Sequence, residues 1–552
     1  MATDYTRFQW RDTGYGEWVR ELDEAELSYT SLQRNWRGSG RSFFHMTGHL
    51  TLEVPVDNDV DLPTIEKRVD SALAKAWLTL RYHHPTIASQ AKFDPITRKY
   101  IKAYPRNSVG WLEKTFVVLS TGHTGVEWAN HDPPAPVLPT LYALAVPSTE
   151  DKRVVRRDLV FRSPHDIIDG IGTLLLFDNY VRHASEAFTQ GDSYHPPALD
   201  DPKVVQNLSP PFRVAAAIPP EPSEAAMHRL ASLDVADAED KTRNAELATL
   251  PYKKGALVPG IHRRVEITLS PEETARLTGA CRDVGSTVTH VFHAAIALVL
   301  RNLQAVHDKP RSVEYVGYLL RNERGSCVPP FSGHEHAATV YHSTSSEKLI
   351  VNMTVPGRDN NLPEETRLQV ENKEFCDIVQ QMREFYQKVR DDPEHYRLAP
   401  LLWARRSIPP PLDEHAIPPI PPPSDSPSAS ISSMGRIDNI IRQKHGNIEV
   451  YNPWVTGEEL RNGLGLFLGT FRGSLSLSAA YNDAWHDKDE ALQFVESCIQ
   501  LVNTGLGLEQ SSDQDPCIHI CITLPVKLCW VQRKDHSIIF QIPKSELCSS
   551  TM

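Results

Sequence analysis

The sequence lacks the signatures of several large protein classes. No apolar run approaches the roughly 20 residues that a membrane-spanning helix needs. Met1 to Trp10 is polar and has no apolar core of a secretory signal. Basic residues do not dominate. The formal net charge is -12, and basic runs such as Lys152, Arg153, Arg156 and Arg157 are short, so a nucleic-acid partner has no general electrostatic support. There is no phosphate-binding loop, no Gly-x-Ser-x-Gly elbow and no His-Glu-x-x-His pair. Gly170-Ile171-Gly172 lacks the third glycine of a dinucleotide-binding turn. Cytoplasmic localisation without membrane insertion is expected.

Cysteine is sparse in the body of the chain. Of eight cysteines, Cys281, Cys327, Cys376 and Cys498 are scattered, while Cys517, Cys521, Cys529 and Cys548 crowd the end. Reduced thiols are expected in the cytosol. Cys517-x-His519-x-Cys521 has no second ligand pair nearby, and structural zinc normally needs four ligands. His334, Glu335, His336 and His342 also carry ligand-type side chains, but a loop-then-strand location suits ordinary histidine use. No metal is expected.

A length of 552 residues is too great for one compact core and suggests two or more domains. The spacing of Ile65, Val69, Ala72, Leu73, Ala76, Trp77 and Leu80 predicts a helix over Leu62 to Tyr82, with Pro63 in its first turn. Leu141 to Val146 and Val154 to Phe161 read as strands joined by a polar turn at Ser148 to Lys152. Residues 191–260 are richer in proline and polar groups and read as a crossover linker, with one helix near Glu221 to Leu233. A second ordered half, 261–508, follows an ordered first half, 1–190. It holds a strand at Val265 to Leu269, a capping box at Ser270 and Glu273, and a helix at Thr287 to Leu303. Strands at Val313 to Leu319, Ala338 to His342 and Leu349 to Thr354 follow, then a helix at Asn372 to Val389. Pro409 to Pro427 can be neither regular helix nor central strand. Leu466 to Phe471 and Ser474 to Tyr481 form a hairpin turning at Arg472-Gly473, and Asp487 to Val502 is the last helix. Composition shifts at 509–552, an atypical tail.

One segment carries chemistry. Val154 to Phe161 runs into Ser163-Pro164-His165, and Pro164 keeps the preceding residue out of the helical region. Helical periodicity resumes from Asp169 to about His183. His165 therefore sits on a strand-to-helix loop, with three residues between it and the Asp169-Gly170 pair. An imidazole near neutral pKa suits proton removal from an alcohol or amine attacking a carbonyl. Asp169 can hold the loop by pairing with a distant arginine, and Gly170 leaves room where the helix begins. The spacing also fits a surface-loop histidine followed by an N-cap aspartate.

Ser163-Pro164-His165-Asp166-Ile167-Ile168-Asp169-Gly170 resembles the active-site motif of the superfamily containing BAHD acyltransferases, peptide-synthetase condensation domains and chloramphenicol acetyltransferase. The resemblance extends over most of Phe8 to Leu508. Asp12-Thr13-Gly14-Tyr15-Gly16-Glu17-Trp18, Asn207-Leu208-Ser209-Pro210-Pro211-Phe212-Arg213, Ser432-Ser433-Met434-Gly435 and Leu475-Ser476-Leu477-Ser478-Ala479-Ala480-Tyr481-Asn482 are similar to the fungal trichothecene 15-O-acetyltransferases. The resemblance implies an α/β fold of mixed α+β kind. It would have two chloramphenicol-acetyltransferase-like domains, each a mixed sheet flanked by helices, with a tunnel between them. It implies an acyl-CoA-dependent O-acyltransferase that moves acetyl from acetyl-CoA to a hydroxyl of a small secondary metabolite. The C-15 hydroxyl of a trichothecene-type sesquiterpenoid is the expected acceptor; the alternatives are an acyltransferase of another fungal pathway with a different acyl donor or acceptor, and a catalytically silent binding protein of the same fold. His165 would be the base, and transfer would be direct, without an acyl-enzyme. Asp169 would be structural and contact an arginine near the strand end Tyr318-Leu319-Leu320-Arg321-Asn322-Glu323-Arg324, Arg324 before Arg321. A hydroxyl at Ser432 or Ser433, or a backbone N–H, could face the oxyanion, and both serines, with Trp454, are expected to bind substrate. In plant members the second motif reads Asp-Phe-Gly-Trp-Gly. Here Tyr451-Asn452-Pro453-Trp454-Val455-Thr456-Gly457 keeps only the tryptophan and a spaced glycine, so Trp454 could instead be a packed aromatic. A monomer with no resident cofactor follows from the same resemblance.

Overall fold

Strand Val154–Pro164, which leads into the motif, is buried along almost its whole length. Alternation of apolar and polar residues is absent because both of its faces are covered. In the computed structural model it lies within a six-stranded sheet. The order is Lys444–His445, Ile448–Gly457, His45–Pro55, Val154–Pro164, Thr140–Val146, Phe116–Leu119. The structure describes residues 5–107, 109–147, 153–242, 245–358, 363–409, 413 and 416–508. The turn expected at Ser148 to Lys152, the tail 509–552 and its Cys517-x-His519-x-Cys521 segment lie outside the described residues.

Helices Leu62–His83 and Gly170–Gln190 pack on this sheet. The first starts where Asp61 accepts a hydrogen bond from the Thr64 amide and Pro63 occupies a position that needs no donor. Its apolar face includes Val69, Ala72, Leu73, Ala76, Trp77 and Leu80. Trp77 stacks on Trp111 with ring centroids 5.6 Å apart and donates Nε1–H to Thr115 Oγ1 at 3.0 Å, so its one polar atom is satisfied inside the core.

The second half builds its own sheet, in the order Ala429–Arg436, Leu464–Phe471, Ser474–Asn482, His262–Thr268. The hairpin turns at Arg472 and Gly473, both with positive φ. Helix Val288–Asn302 is buried on every side from Val291 to Arg301, which explains its nearly continuous apolar sequence. Helices Glu364–Asp391 and Lys488–Gly505 share that core. The first of these begins before the expected Asn372.

Two expectations need correction. The strand expected at Ala338 to His342 is confined to His342–Thr344, paired with Leu320–Asn322. Ala337 to Tyr341 is instead buried coil, which provides amide and carbonyl groups to the motif loop. The order of the chain also does not map onto the order of the sheets. Ile448–Gly457 comes from the second half but pairs antiparallel with His45–Pro55 of the first. Residues 458–463 then carry the chain into Leu464–Phe471 of the second sheet. The Pro409 to Pro427 segment remains irregular where it is described. Ile420 packs against Trp36, Phe43 and Leu460, and the Asn462 amide both donates to and accepts from the Ser424 backbone, at 2.8 and 2.9 Å.

Several histidines are buried within this framework. Burial pushes His84 and His293 down to about 3. Burial, with Arg162 nearby, pushes His45 down to about 4. The unfolded chain, with histidines near 6.5, therefore binds more protons than the folded one below that pH, and stability must fall as pH drops. The expected loss is on the order of 2 kcal/mol for each such histidine by pH 5. Denaturant melts at pH 7, 6 and 5 measure it, and a flat profile over that range would contradict it.

Candidate active site

The motif strand delivers His165 to the sheet's end, where its amide donates to the Phe44 carbonyl at 3.1 Å. The imidazole is buried and lines a cavity of about 690 Å³ walled by both halves of the chain. That size falls within the range of small-molecule sites. Burial, reinforced by His342, lowers the imidazole to about 3, so the ring is neutral at physiological pH. Among the described residues, its buried Nδ1 has no hydrogen-bond partner.

Asp169 follows at the N-cap of helix Gly170–Gln190. One carboxylate oxygen accepts from the Gly172 amide at 2.6 Å. The other accepts from Arg324 Nη1 at 2.9 Å and from the Tyr341 amide at 2.8 Å. Burial raises its carboxyl, but Arg324 and His342 outweigh that and hold it below the ordinary carboxylate range. Arg324 also reaches Thr339 Oγ1 at 3.2 Å. Arg321 turns the other way and donates to the Val389 carbonyl at 3.0 Å. The Asp169 cap and the long-range ion pair are thus made by one side chain. They anchor the motif loop to Arg324–Ser326 and to the coil ending at Tyr341.

A second clamp holds the other side of the loop. Lys102, fully buried, places Nζ 3.1 Å from Asp166 Oδ2 and 3.0 Å from Glu26 Oε1. Glu26 is also paired with Arg20 at 2.6 Å. The motif loop is thereby tied to helix Glu24–Asn35, whose Ser28, Tyr29 and Leu32 line the cavity.

The clearance expected at Gly170 belongs to Gly172. A Cβ at Gly170 would meet Met434 and Val455 at 3.5 Å, ordinary contact distance. At Gly172 it would collide with the Ala337 carbonyl oxygen and lie 2.8 Å from Arg324 Nη2. Gly170 lines the cavity instead. Gly172→Ala is expected to cost about 1–3 kcal/mol, as overpacking does, with reduced activity through displaced Arg324. An unchanged melting temperature would contradict this.

Ser432 and Ser433 both line the cavity. Ser433 Oγ lies 2.9 Å from Thr289 Oγ1 and shares a hydrogen bond with it. Among the described residues, Ser432 Oγ has no such bond. Trp454 does not reach the cavity. It is buried against His49, with ring centroids 5.1 Å apart, and beneath Arg264, 4.2 Å from its ring. Its neighbours Val455 and Gly457 line the cavity, and alternation along a strand sends Trp454 to the opposite face.

Two cavity residues carry no motif signal. Tyr29 stacks on His165 with centroids 3.9 Å apart and planes within 9°. His342 lies 5.4 Å from the His165 ring and bonds Tyr29 Oη through Nε2 at 2.8 Å. His342 had stood out only as part of a cluster with His334, Glu335 and His336. Among the described residues, no group of three or more ligand-type side chains could hold a metal ion. No single described helix is long and apolar enough to cross a membrane.

No family model matches the chain. It is 24% identical over 533 residues to the O-acetyltransferase pigM of Monascus ruber, covering 94% of this chain and 90% of that protein. It is 23% identical over 376 residues to the azaphilone biosynthesis cluster protein M of Aspergillus terreus, covering 66% and 81%. Among solved structures, the TRI3 trichothecene 15-O-acetyltransferase of Fusarium sporotrichioides superposes with a TM-score of 0.67. That match is 15% identical and covers 91% of this chain and 98% of that one. The fold is the mixed helix-and-sheet fold of that structure, and the chain is an acyltransferase. It is similar to fungal O-acetyltransferases along nearly its full length, and its fold is like that of the TRI3 structure.

Proposed function

We propose that the protein transfers acetyl from acetyl-CoA to a hydroxyl of a small fungal metabolite, with His165 as general base. The observation that carries this reading is the neutral His165 imidazole, set in the wall of the large cavity by the Asp169–Arg324 clamp. His165 takes the hydroxyl proton as the oxygen attacks the thioester carbonyl. The tetrahedral intermediate collapses, the C–S bond breaks, and the imidazolium protonates the leaving thiolate. The products are an ester and free CoA. Asp169 stabilises the transient imidazolium without accepting its proton, since Arg324 keeps it ionised. Ser432, which lines the cavity, would donate to the oxyanion. The reaction requires no resident cofactor or metal, and the proposed form is a cytoplasmic monomer.

The proposed acceptor is a trichothecene-type sesquiterpenoid, acetylated at its C-15 hydroxyl, supported by the fold likeness to an enzyme of that activity. A second acceptor class, azaphilone alcohols, is supported by the likeness to a protein of azaphilone biosynthesis. The test incubates purified protein with acetyl-CoA, longer acyl-CoAs and a carrier-protein thioester, each against alcohols of both classes. Products are read by mass spectrometry. A mass gain of one acetyl group on one acceptor, with release of CoA thiol, is the expected result. No thiol release with any donor would sink the enzymatic reading. Transfer of only a longer acyl group would sink the acetyl donor.

A further inference from the structure

We propose that Tyr29 and His342 form a positioning pair for the His165 imidazole. This rests on the assignment of His165 as the base.

The placement has four parts. The Tyr29 ring lies flat on the imidazole, 3.9 Å away and within 9° of parallel. A ring stacked so closely blocks the rotation that would swing the imidazole out of the cavity wall. Phe44, 5.4 Å from the imidazole and tilted by 52°, limits its movement further. The tyrosine itself is held by its hydroxyl, 2.8 Å from His342 Nε2. Trp403 closes the group, its ring 5.4 Å from both Tyr29 and His342.

His342 is in turn fixed by the same machinery that fixes the motif loop. Its Nδ1 lies 3.8 Å from Asp169 Oδ2, and it begins the short strand His342–Thr344 directly after Tyr341, whose amide Asp169 accepts. Tyr29 stands one helical turn after Glu26, which Lys102 bridges to Asp166. The stacking ring and the stacked ring are therefore referenced to one rigid frame from two directions. Burial raises the Tyr29 phenol, so it remains a neutral hydroxyl and does not exchange protons with the site at physiological pH. The charged or titratable groups that share the cavity with the imidazole include Asp169 on its own loop, with Arg324 behind it, His342 on its strand, Tyr29 on its helix, and Arg321, Arg461 and Glu459, whose carboxyl burial raises to about 7. Arg406 lies at the cavity wall beyond Trp403.

The pair acts on geometry, so its loss should lower kcat with little effect on KM. Misplacing a catalytic group by about 1 Å costs on the order of a hundredfold. Tyr29→Leu keeps apolar bulk and loses the flat ring, so kcat should fall about a hundredfold. Tyr29→Phe restores the ring and should return kcat to within about fivefold of wild type. His342→Leu removes the partner of the Tyr29 hydroxyl, so kcat should fall with KM little changed. Circular dichroism and thermal melts accompany each variant. If Tyr29→Leu does not fold, Tyr29→Phe and His342→Leu carry the test through the split between kcat and KM. Tyr29→Phe as impaired as Tyr29→Leu would overturn the proposal. So would an effect in KM alone, or wild-type kcat in a folded His342→Leu. Retained turnover in His165→Ala would bring down the underlying assignment instead, whatever the Tyr29 variants do.

Discussion

His165→Ala should fold with a nearly unchanged melting temperature and lose transfer by about a hundred to ten thousand fold in kcat, the range of positioned general acid–base catalysis. The fold should survive because the imidazole makes no side-chain hydrogen bond through Nδ1 and already faces open cavity on one side. Truncation enlarges a space that exists rather than opening a new void. The loss should fall on kcat, since the substrates are held by the walls of the cavity and the imidazole is one small part of them. The wild-type pH profile should show no acid limb near 6.5, because burial and His342 bring the imidazole to about 3. The base therefore stays free of a proton throughout the working range. A purified, folded His165→Ala protein with wild-type turnover would remove the assignment.

The largest effect on stability is expected at the Asp169–Arg324 pair. Arg324→Ala leaves a buried carboxylate with only the Gly172 and Tyr341 amides. Removing one partner of a buried pair costs about 3–5 kcal/mol. Much of that is the desolvation of the charge left behind, so the Asp169 carboxyl should also rise towards or above the ordinary range. Asp169→Asn should cost less, because the amide oxygen still caps the helix at Gly172 while the charge is gone. Both variants should lose activity, since the loop carrying His165 is no longer held on that side. Denaturant titration gives the ranking. Arg324→Ala or Asp169→Asn melting like wild type would show that the pair does not anchor the loop.

Much of the scaffold was readable from local pattern. Asp61 with Pro63, and Ser270 with Glu273, cap their helices through neighbours three residues apart or fewer. The Arg472–Gly473 turn follows from the two residues that occupy it. His165 was readable because a strand, a proline and a helix start follow one another without a gap. The Arg324 contact was reachable only through the family resemblance, and it is made 155 residues away from Asp169.

Other features depend on pairings that no local window contains. Trp454 stood out as an aromatic beside a spaced glycine, yet strand pairing with His45–Pro55 decides which face it takes, and Val455 and Gly457 took the cavity. Gly170 and Gly172 are equivalent by composition. Only the approach of Ala337 and Arg324 makes Gly172 the one without room for a side chain. Tyr29 and His342 meet across 313 residues and carry no spacing signal at all. Local propensity and periodicity act over one or two turns, enough to define elements, their caps and the motif histidine. Which faces meet, and which side chains surround that histidine, is settled by burial and pairing between distant segments, whose energetics exist only once the sheets are assembled.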